Sequence, residues 1–531
     1  MTATDAEPEQ AENATTGRLA LLLAMAMFVL VVDTSFMNVS ISAVVQDLGT
    51  TVSTVQAAIA LEALVSAAFI LIGGKVGDLF GRKRAYVLGL LGYAVGGVAM
   101  TMAQSVTAMI VFWAIIGGIG AALLLPAMQS LIHGNFDGAA RTKVYALVGA
   151  SAAIATAVGP LLGGFITTYL SWRVAFELEV VVIAVVLSGI KLVHDVPYTG
   201  PRGIDAVGAL LSVLGMGGVV LGILVWQEGG EYVGALIVIG AVALFGLVRW
   251  LRRRKREGKP ALLDIELFKS PFFRLGVTQQ MTQQIALGGS IIALPIYLQM
   301  VLEYNALEAG LSLAPLSLSM FAMALLAGRR AGGRRPAGLV RAGFALLTVG
   351  VVVLIPVVPR AESGWALVIP LLIMGSGLGL LVSQLNNYTL SPVTEERASE
   401  AAGVNSAGGS FGLSFGLAFG GAILLATLSI AFTNKSDAST VLPPADKQQV
   451  ANVLEDDAQV MSNTQLEELL ADEPPEIRAE VIRINTDARP LALQVALLVP
   501  LLAALAGLFN SFRMMRLPDP KPSAAAEAAF G

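Results

Sequence analysis

Cysteine is absent from the 531-residue chain, and histidine occurs only twice. Disulfide staples, thiolate nucleophiles and cysteine-bearing metal sites are therefore excluded. Charge is scarce as well. Asp, Glu, Lys and Arg make up 14% of residues, against about 25% in an ordinary soluble domain. No G-x-x-x-x-G-K-[ST] loop exists to cradle a nucleotide phosphate, and no His/carboxylate cluster suggests a metal or a nucleophile. The chain thus reads as neither an ATP-driven pump nor an enzyme. No cofactor, no metal and no nucleic-acid partner is expected. No cleavable signal peptide is expected either. The first seventeen residues, MTATDAEPEQAENATTG, are acidic and polar, whereas a signal starts basic.

What the chain has instead is apolar length. Hydrophobic residues form 55% of it, and mean hydropathy is +0.74. Residues 19–32, 85–102 and 106–132 carry no charge at all. About twenty apolar residues at 1.5 Å each cross a hydrocarbon core of roughly 30 Å. The fold class expected is an all-α polytopic membrane protein with fourteen spans. They fall at 18–45, 53–74, 84–104, 106–132, 142–166, 172–193, 205–226, 232–251, 273–302, 306–328, 338–358, 364–385, 402–431 and 489–512. An even number puts both termini on one side. Assigning that side to the cytoplasm places 27 of the 34 Lys and Arg there, as the positive-inside rule requires.

The pattern divides the chain into a disordered cytoplasmic tail (1–17), a six-helix bundle (18–193), two extra spans (205–251), a basic connector (252–272) and a second six-helix bundle (273–512). A cytoplasmic tail, 513–531, follows. Basic turns at GRKR (81–84) and GGRRP (332–336) each come about sixty residues into a bundle, the mark of a repeat. Two equivalent halves around a midplane cavity are a transporter architecture. The bases of 249–274 are expected to anchor on anionic membrane lipids. A polar external insert, 432–488, carries twelve acids against four bases. In it Thr464 and Glu467 stand at capping-box spacing, so small amphipathic helices are expected on the outer mouth.

Ionisable groups inside spans are few, and each is a functional candidate. Asp33 lies mid-way along the first span and Glu62 along the second, with no Lys or Arg well inside any span. A carboxylate in low dielectric without a counter-ion must take up a proton or attract a cation. These outcomes exclude one another at a single carboxylate, which is a minimal exchange mechanism. The structural alternative is an acid satisfied by Ser35 or Asn38. Glu177 and Glu179 lie near the outer end of span six, as hydrated interface acids or as a cation-attracting vestibule. Gln279, Gln280, Gln283 and Gln284 are placed on one face of span nine by i, i+4 spacing, lining the cavity or bonding neighbouring helices. Asn405 and Ser406 are a weaker pair of the same kind. His133 and His194 fall in cytoplasmic loops. Phe36, Met37, Trp113 and Met281 offer an adaptable apolar surface or simple packing.

Residues 73–84, GGKVGDLFGRKR, set five charges and four glycines between two apolar stretches. Gly74, Asp78, Gly81, Arg82 and Lys83 resemble the loop signature of the major facilitator superfamily, with Leu79 where a base is usual. The resemblance implies a cytoplasmic latch in which Asp78 docks on the other half and pairs with Arg82. VDTSFMNVSI (32–41), with Asp33, Ser35 and Asn38, resembles the first-helix signature of the fourteen-helix drug:proton antiporters in that superfamily. GPLLGG (Gly159, Pro160, Gly163, Gly164), with Ala146 and Ala155 upstream, resembles their fifth-helix motif, and SWR (171–173) the start of helix six. The fourth-helix signature keeps Gly118, Gly120, Ala121 and Ala122, but Ala114 occupies the position of its usual arginine.

The resemblance implies the major facilitator fold in a bacterial cytoplasmic membrane. It implies a monomer that exports small lipophilic or cationic compounds in exchange for protons by rocking of the halves. Asp33, Glu62, Asn38, Gln280, Gln284, Glu177 and Glu179 are the expected proton- and substrate-binding set. The alternatives are a lipid or neutral-metabolite transporter with different or no proton coupling, and a non-transporting sensor on the same scaffold.

Overall fold

A computed structural model describes residues 6–136, 138–195, 205–227, 231–329, 335–390, 395–444 and 463–518, with isolated positions between them. Those residues are helical or loop, without a strand. The first six helices are α1 (Ala6–Leu48), α2 (Val52–Phe80), α3 (Arg82–Thr101), α4 (residues 106–135), α5 (Gly138–Tyr169) and α6 (Trp172–Ser188). A pair follows, α7 (Ala206–Gln227) and α8 (Val233–Arg256). The second set is α9 (Pro271–Met300), α10 (Ala306–Arg329), α11 (Pro336–Val357), α12 (Val368–Leu390) and α13 (Glu395–Ala438). The short α14 (Asn463–Leu469), then α15 (Pro475–Ala496) and α16 (Leu498–Met515), close the chain. Among the described residues, thirteen stretches are apolar and long enough to cross a membrane on their own, α15 and α16 counting as one. The 17-residue α6 makes the fourteenth.

The rods present large apolar side chains outward. Val95, Val242, Phe245, Ile369, Leu502 and Phe509 are all exposed. An aqueous surface rarely carries so many, and a helix satisfies its own backbone in hydrocarbon. Helix pairing repeats between the two sets. In the first, α1 packs on α5, α2 on α4, and α3 on α4 and α6; in the second, α9 packs on α13, α10 on α12, and α11 on α12 and α16. The repeat read from the two basic turns is thus a repeat of packing, although 332–334 of the second turn lie outside the described residues. Each half crosses to the other through one helix of each pair, α2 on α13 and α5 on α10. The extra pair packs beside the first of these seams, with α7 against both α2 and α13.

Local chemistry sets the helix ends. Thr51 caps α2 by accepting from the Thr54 amide, and Ser171 caps α6 by accepting from Arg173. Between α2 and α3 the chain turns on one residue, Gly81, at φ 106°, a conformation that a side chain resists. Asp205 before α7 does the most. Its buried carboxylate accepts from the Gly208 amide (2.9 Å), the Trp250 indole of α8 (2.8 Å) and the Leu262 amide of the connector (3.1 Å). One side chain therefore joins both extra helices to the connector.

Several expected boundaries move. The polar tail before Leu19, expected to lack order, runs as helix from Ala6. Span thirteen extends on to Ala438, so the insert starts later than residue 432. Of that insert, most of 445–462 lies outside the described residues. Thr464 does not cap its helix through Glu467. It lies inside α14 and gives its amide (3.0 Å) and hydroxyl (2.7 Å) to Glu303, from the α9–α10 turn. A carboxylate from another element takes the place of the local box. The connector's bases largely face its own acids. Lys255 pairs with Asp264 and Glu266, and Lys269 with Glu266. The Lys259 ammonium and the Arg253 guanidinium hold the Glu257 carboxyl down to a pKa of about 2.

Asp205→Ala should leave three N–H groups without their acceptor, at roughly 1–3 kcal/mol for each that stays buried. The thermal midpoint of the detergent-solubilised protein should drop, and protease should cut first in the connector around residue 258. A midpoint equal to wild type would mean that these contacts add nothing to stability.

Candidate functional site

Three carboxyls gather inside the first half. Asp33 of α1 is fully buried, while Glu62 of α2 and Glu179 of α6 are 7% and 5% exposed. They lie close enough to act on one another electrostatically. Among the described residues none of the three has an ion-pair partner. The Asp33 Oδ2 accepts from the Tyr93 hydroxyl of α3 and from the Trp113 indole of α4, the latter at 2.8 Å. Its Oδ1 is buried without a hydrogen-bond partner, and so is Glu179 Oε1. Ser35 and Asn38 do not satisfy Asp33. They donate to their own helix instead, to Val31 (3.1 Å) and Thr34 (2.6 Å).

Glu177 and Glu179 part company. Glu179 points into the cluster, whereas Glu177 is exposed, because two residues along a helix rotate the side chain by about 200°. The paired vestibule expected of them is not formed. The four glutamines divide too. Gln279 and Gln283 are buried, and Gln279 donates to the Gly507 carbonyl of α16 at 2.9 Å. Gln280 and Gln284 are half-buried and pack toward Gly409 of α13. Adjacent residues on a helix lie about 100° apart, so the four make two stripes rather than one face. Asn405 donates to Asn386 at 2.7 Å.

The loop motif keeps its internal geometry. Arg82 pairs with Asp78 at 3.2 Å, one turn apart. Lys83 donates its amide to Asp195 (3.0 Å) and its ammonium to the Val193 carbonyl (2.7 Å), both beyond α6. A methyl on Gly81 would stand 2.9 Å from Asp195 Oδ2. These contacts tie the loop to its own half. Gly74 faces Pro126 of α4 without crowding.

GPLLGG packs on its own half through Gly159 and Gly163, and on the other half through Pro160 and Gly164. A methyl on Gly159 or Gly163 would strike Ser35 or Phe36 of α1, at 2.4 and 2.5 Å. On Gly164 it would stand 2.4 Å from the Ala306 carbonyl of α10, and on Gly310 it would stand 2.3 Å from the Pro160 carbonyl. Helices approach this closely only through small residues. Thr168 adds a hydrogen bond from the Leu307 amide, 3.1 Å. Along the other seam Ser414 of α13 donates to the Ala60 carbonyl of α2, 2.6 Å. Trp172 and Arg173 both bind Asp47 at the end of α1, at 3.1 and 2.5 Å.

Sequence reasoning gave no weight to the residues that hold Asp33. Tyr93 carries no pattern of its own and Trp113 reads as apolar surface or packing, since which helices face α1 is not written in either span. The one available signal was chemical: a Tyr or Trp buried in a charge-free span needs a partner for its polar tip. Gln56 was also missed, and its buried amide lacks a partner altogether.

The family model described as Major Facilitator Superfamily matches residues 23–207 and 201–417. The chain belongs to the major facilitator superfamily. It is a membrane transporter by family and not an enzyme. Among similar proteins is the probable actinorhodin transporter of Streptomyces coelicolor, 25% identical over 71% of this chain and 66% of the relative, just under two thirds of its length. The multidrug export protein EmrB of Escherichia coli is 27% identical over 73% and 76%. The multidrug resistance protein Stp of Mycobacterium tuberculosis is 26% identical over 82% and 80%. The fold resembles solved structures of a bacterial homologue of the lysosomal transporter Spinster and of a proton-dependent oligopeptide transporter. The first has a TM-score of 0.60 at 13% identity, over 97% of this chain and 99% of that one. The second has a TM-score of 0.55 at 17% identity, over 95% and 100%.

Because the chain has no native cysteine, one introduced in place of Leu307 reports on the α5–α10 seam alone. Combined with Gly164→Ala, which forces backbone apart, it should react with a membrane-impermeant maleimide several-fold faster than in the Gly164 parent. Equal rates would mean that the glycine contact does not hold this seam closed.

Proposed function

We propose that the protein is a secondary exporter that exchanges hydrophobic, cationic compounds for protons by alternating access. The observation that carries this reading is the cluster of Asp33, Glu62 and Glu179, buried together with no base paired to them. Such a cluster is electrostatically frustrated unless it holds protons or a cation from solution. A proton neutralises it in one state, and a substrate cation displaces that proton in the other. Substrate and proton then share one site in turn, which is the condition for antiport.

The two halves supply the movement. Two described hydrogen bonds along the seams, Thr168 with Leu307 and Ser414 with Ala60, are uncharged, and breaking them exposes no ion. Both termini face the cytoplasm in this reading, as does the 73–84 loop, because the basic residues crowd that side. There Asp78 and Arg82 act as the latch, and the exposed Arg252 and Arg256 meet anionic headgroups. The similar proteins named for multidrug export and resistance support a small-molecule substrate, and the half-buried Gln280 and Gln284 offer amides for it in this reading. The protein works as a monomer.

In everted membrane vesicles with an imposed proton gradient, wild type should accumulate a fluorescent lipophilic cation. Asp33→Asn should lose that uptake at matched expression and retain its monodisperse elution in detergent. Glu62→Gln should be strongly impaired. Uptake indifferent to the gradient and to both substitutions would overturn proton exchange, and dependence on supplied lipid would indicate lipid transport instead.

A further inference from the structure

We infer that Tyr93 and Trp113 are the positioning residues of the exchange site, filling Oδ2 of Asp33 and leaving Oδ1 as the atom that takes the exchanged proton or cation. The inference rests on the reading that Asp33 exchanges the two. Its own basis is the geometry of one carboxyl group. A carboxylate oxygen offers two lone-pair directions. At Oδ2 both are taken, one by the Tyr93 hydroxyl and one by the Trp113 indole. An indole N–H donates only, so a proton arriving at Oδ2 would have to expel it. Oδ1 is buried and has no partner. An unpaired buried acceptor is costly, and a site that must receive a proton or cation explains why it is kept.

The two donors are neutral, and that matters. A guanidinium in their place would bring a permanent positive charge and hold the acid as an anion. Tyr93 and Trp113 orient the carboxyl without settling its charge. The ionisable groups around it are Tyr93 from α3, Glu62 from α2 and Glu179 from α6. The fourth helix offers Trp113, and α5 meets this part of α1 with Gly159 and Gly163. No base faces Asp33 from these elements.

Packing fixes the indole. Trp113 lies within a π-helical stretch, Met109–Gly117, a local widening found most often at functional positions. Ala114 beside it is fully buried and has no donor to offer. Phe176 of α6 meets the Trp113 ring edge-to-face at 6.3 Å, and itself touches Phe36 at 5.1 Å and Trp172 at 6.0 Å. The indole thus has little freedom to follow another partner.

The test is equilibrium binding of radiolabelled tetraphenylphosphonium to the purified full-length protein in detergent, without any gradient, across a pH series. Protons and the cation compete for one carboxyl, so wild-type binding should rise with pH through a midpoint. Tyr93→Phe and Trp113→Phe each remove one hydrogen bond from the anion. Protons should then compete better, and the midpoint should move up by about one pH unit, with binding at high pH retained. Tyr93→Phe deletes a single oxygen and keeps the ring, so it remains informative if Trp113→Phe fails to fold. Midpoints unchanged in folded variants would overturn the positioning role, while loss of pH-dependent binding in Asp33→Asn upheld the exchange reading. If Asp33→Asn kept the wild-type pH dependence, the exchange reading itself would fall.

Discussion

Asp33 is held by two neutral hydrogen bonds and by no cation, and much of the first half is arranged around that fact. Three helices converge on one carboxyl oxygen: α1 brings the acid, α3 the Tyr93 hydroxyl and α4 the Trp113 indole. In hydrocarbon a charge without a counter-ion is expensive, and Glu62 and Glu179 within the same field raise that expense. The cluster is therefore at ease only when something from solution neutralises it. A buried base beside it would neutralise it from within, and the proposed exchange with solution would have no driving force.

The rest of the architecture keeps this tension from dissipating into disorder. Within each half the helices pair in the same pattern, which suits the rocking of whole halves proposed for the transport cycle. Between halves the contacts are of another kind: backbone laid on backbone through Gly164 and Gly310, with isolated neutral hydrogen bonds. Van der Waals contact at short range is strong when the fit is complete and vanishes over a small displacement. Asp205 does the opposite work, binding the extra pair and the connector into one rigid strap.

Helix count, the doubled organisation, the loop motif and the identity of two cluster acids were all legible in the chain. Charge depletion and span length answer to the bilayer, which acts on each segment separately. Glu179 was legible only as half of a pair, since its separation from Glu177 depends on which face α6 turns to α1 and α3. Thr464 misled for a similar reason. The capping-box spacing was present, but Glu303 arrived from another turn and took both donors. The glutamines of α9 shared a spacing yet met different neighbours, α16 on one stripe and α13 on the other.

The sequence by itself determined what each helix must be: long, apolar, broken at Gly81 and starred with a few acids that lack bases. That follows because hydrophobic transfer and backbone satisfaction are local demands, met residue by residue. Only the tertiary structure decided which groups share a site. Tyr93 and Trp113 lie sixty and eighty residues beyond Asp33, on rods whose facing depends on every other rod in the bundle. A hydrogen bond needs its two atoms within about 3 Å, and no pattern along a single span encodes that distance.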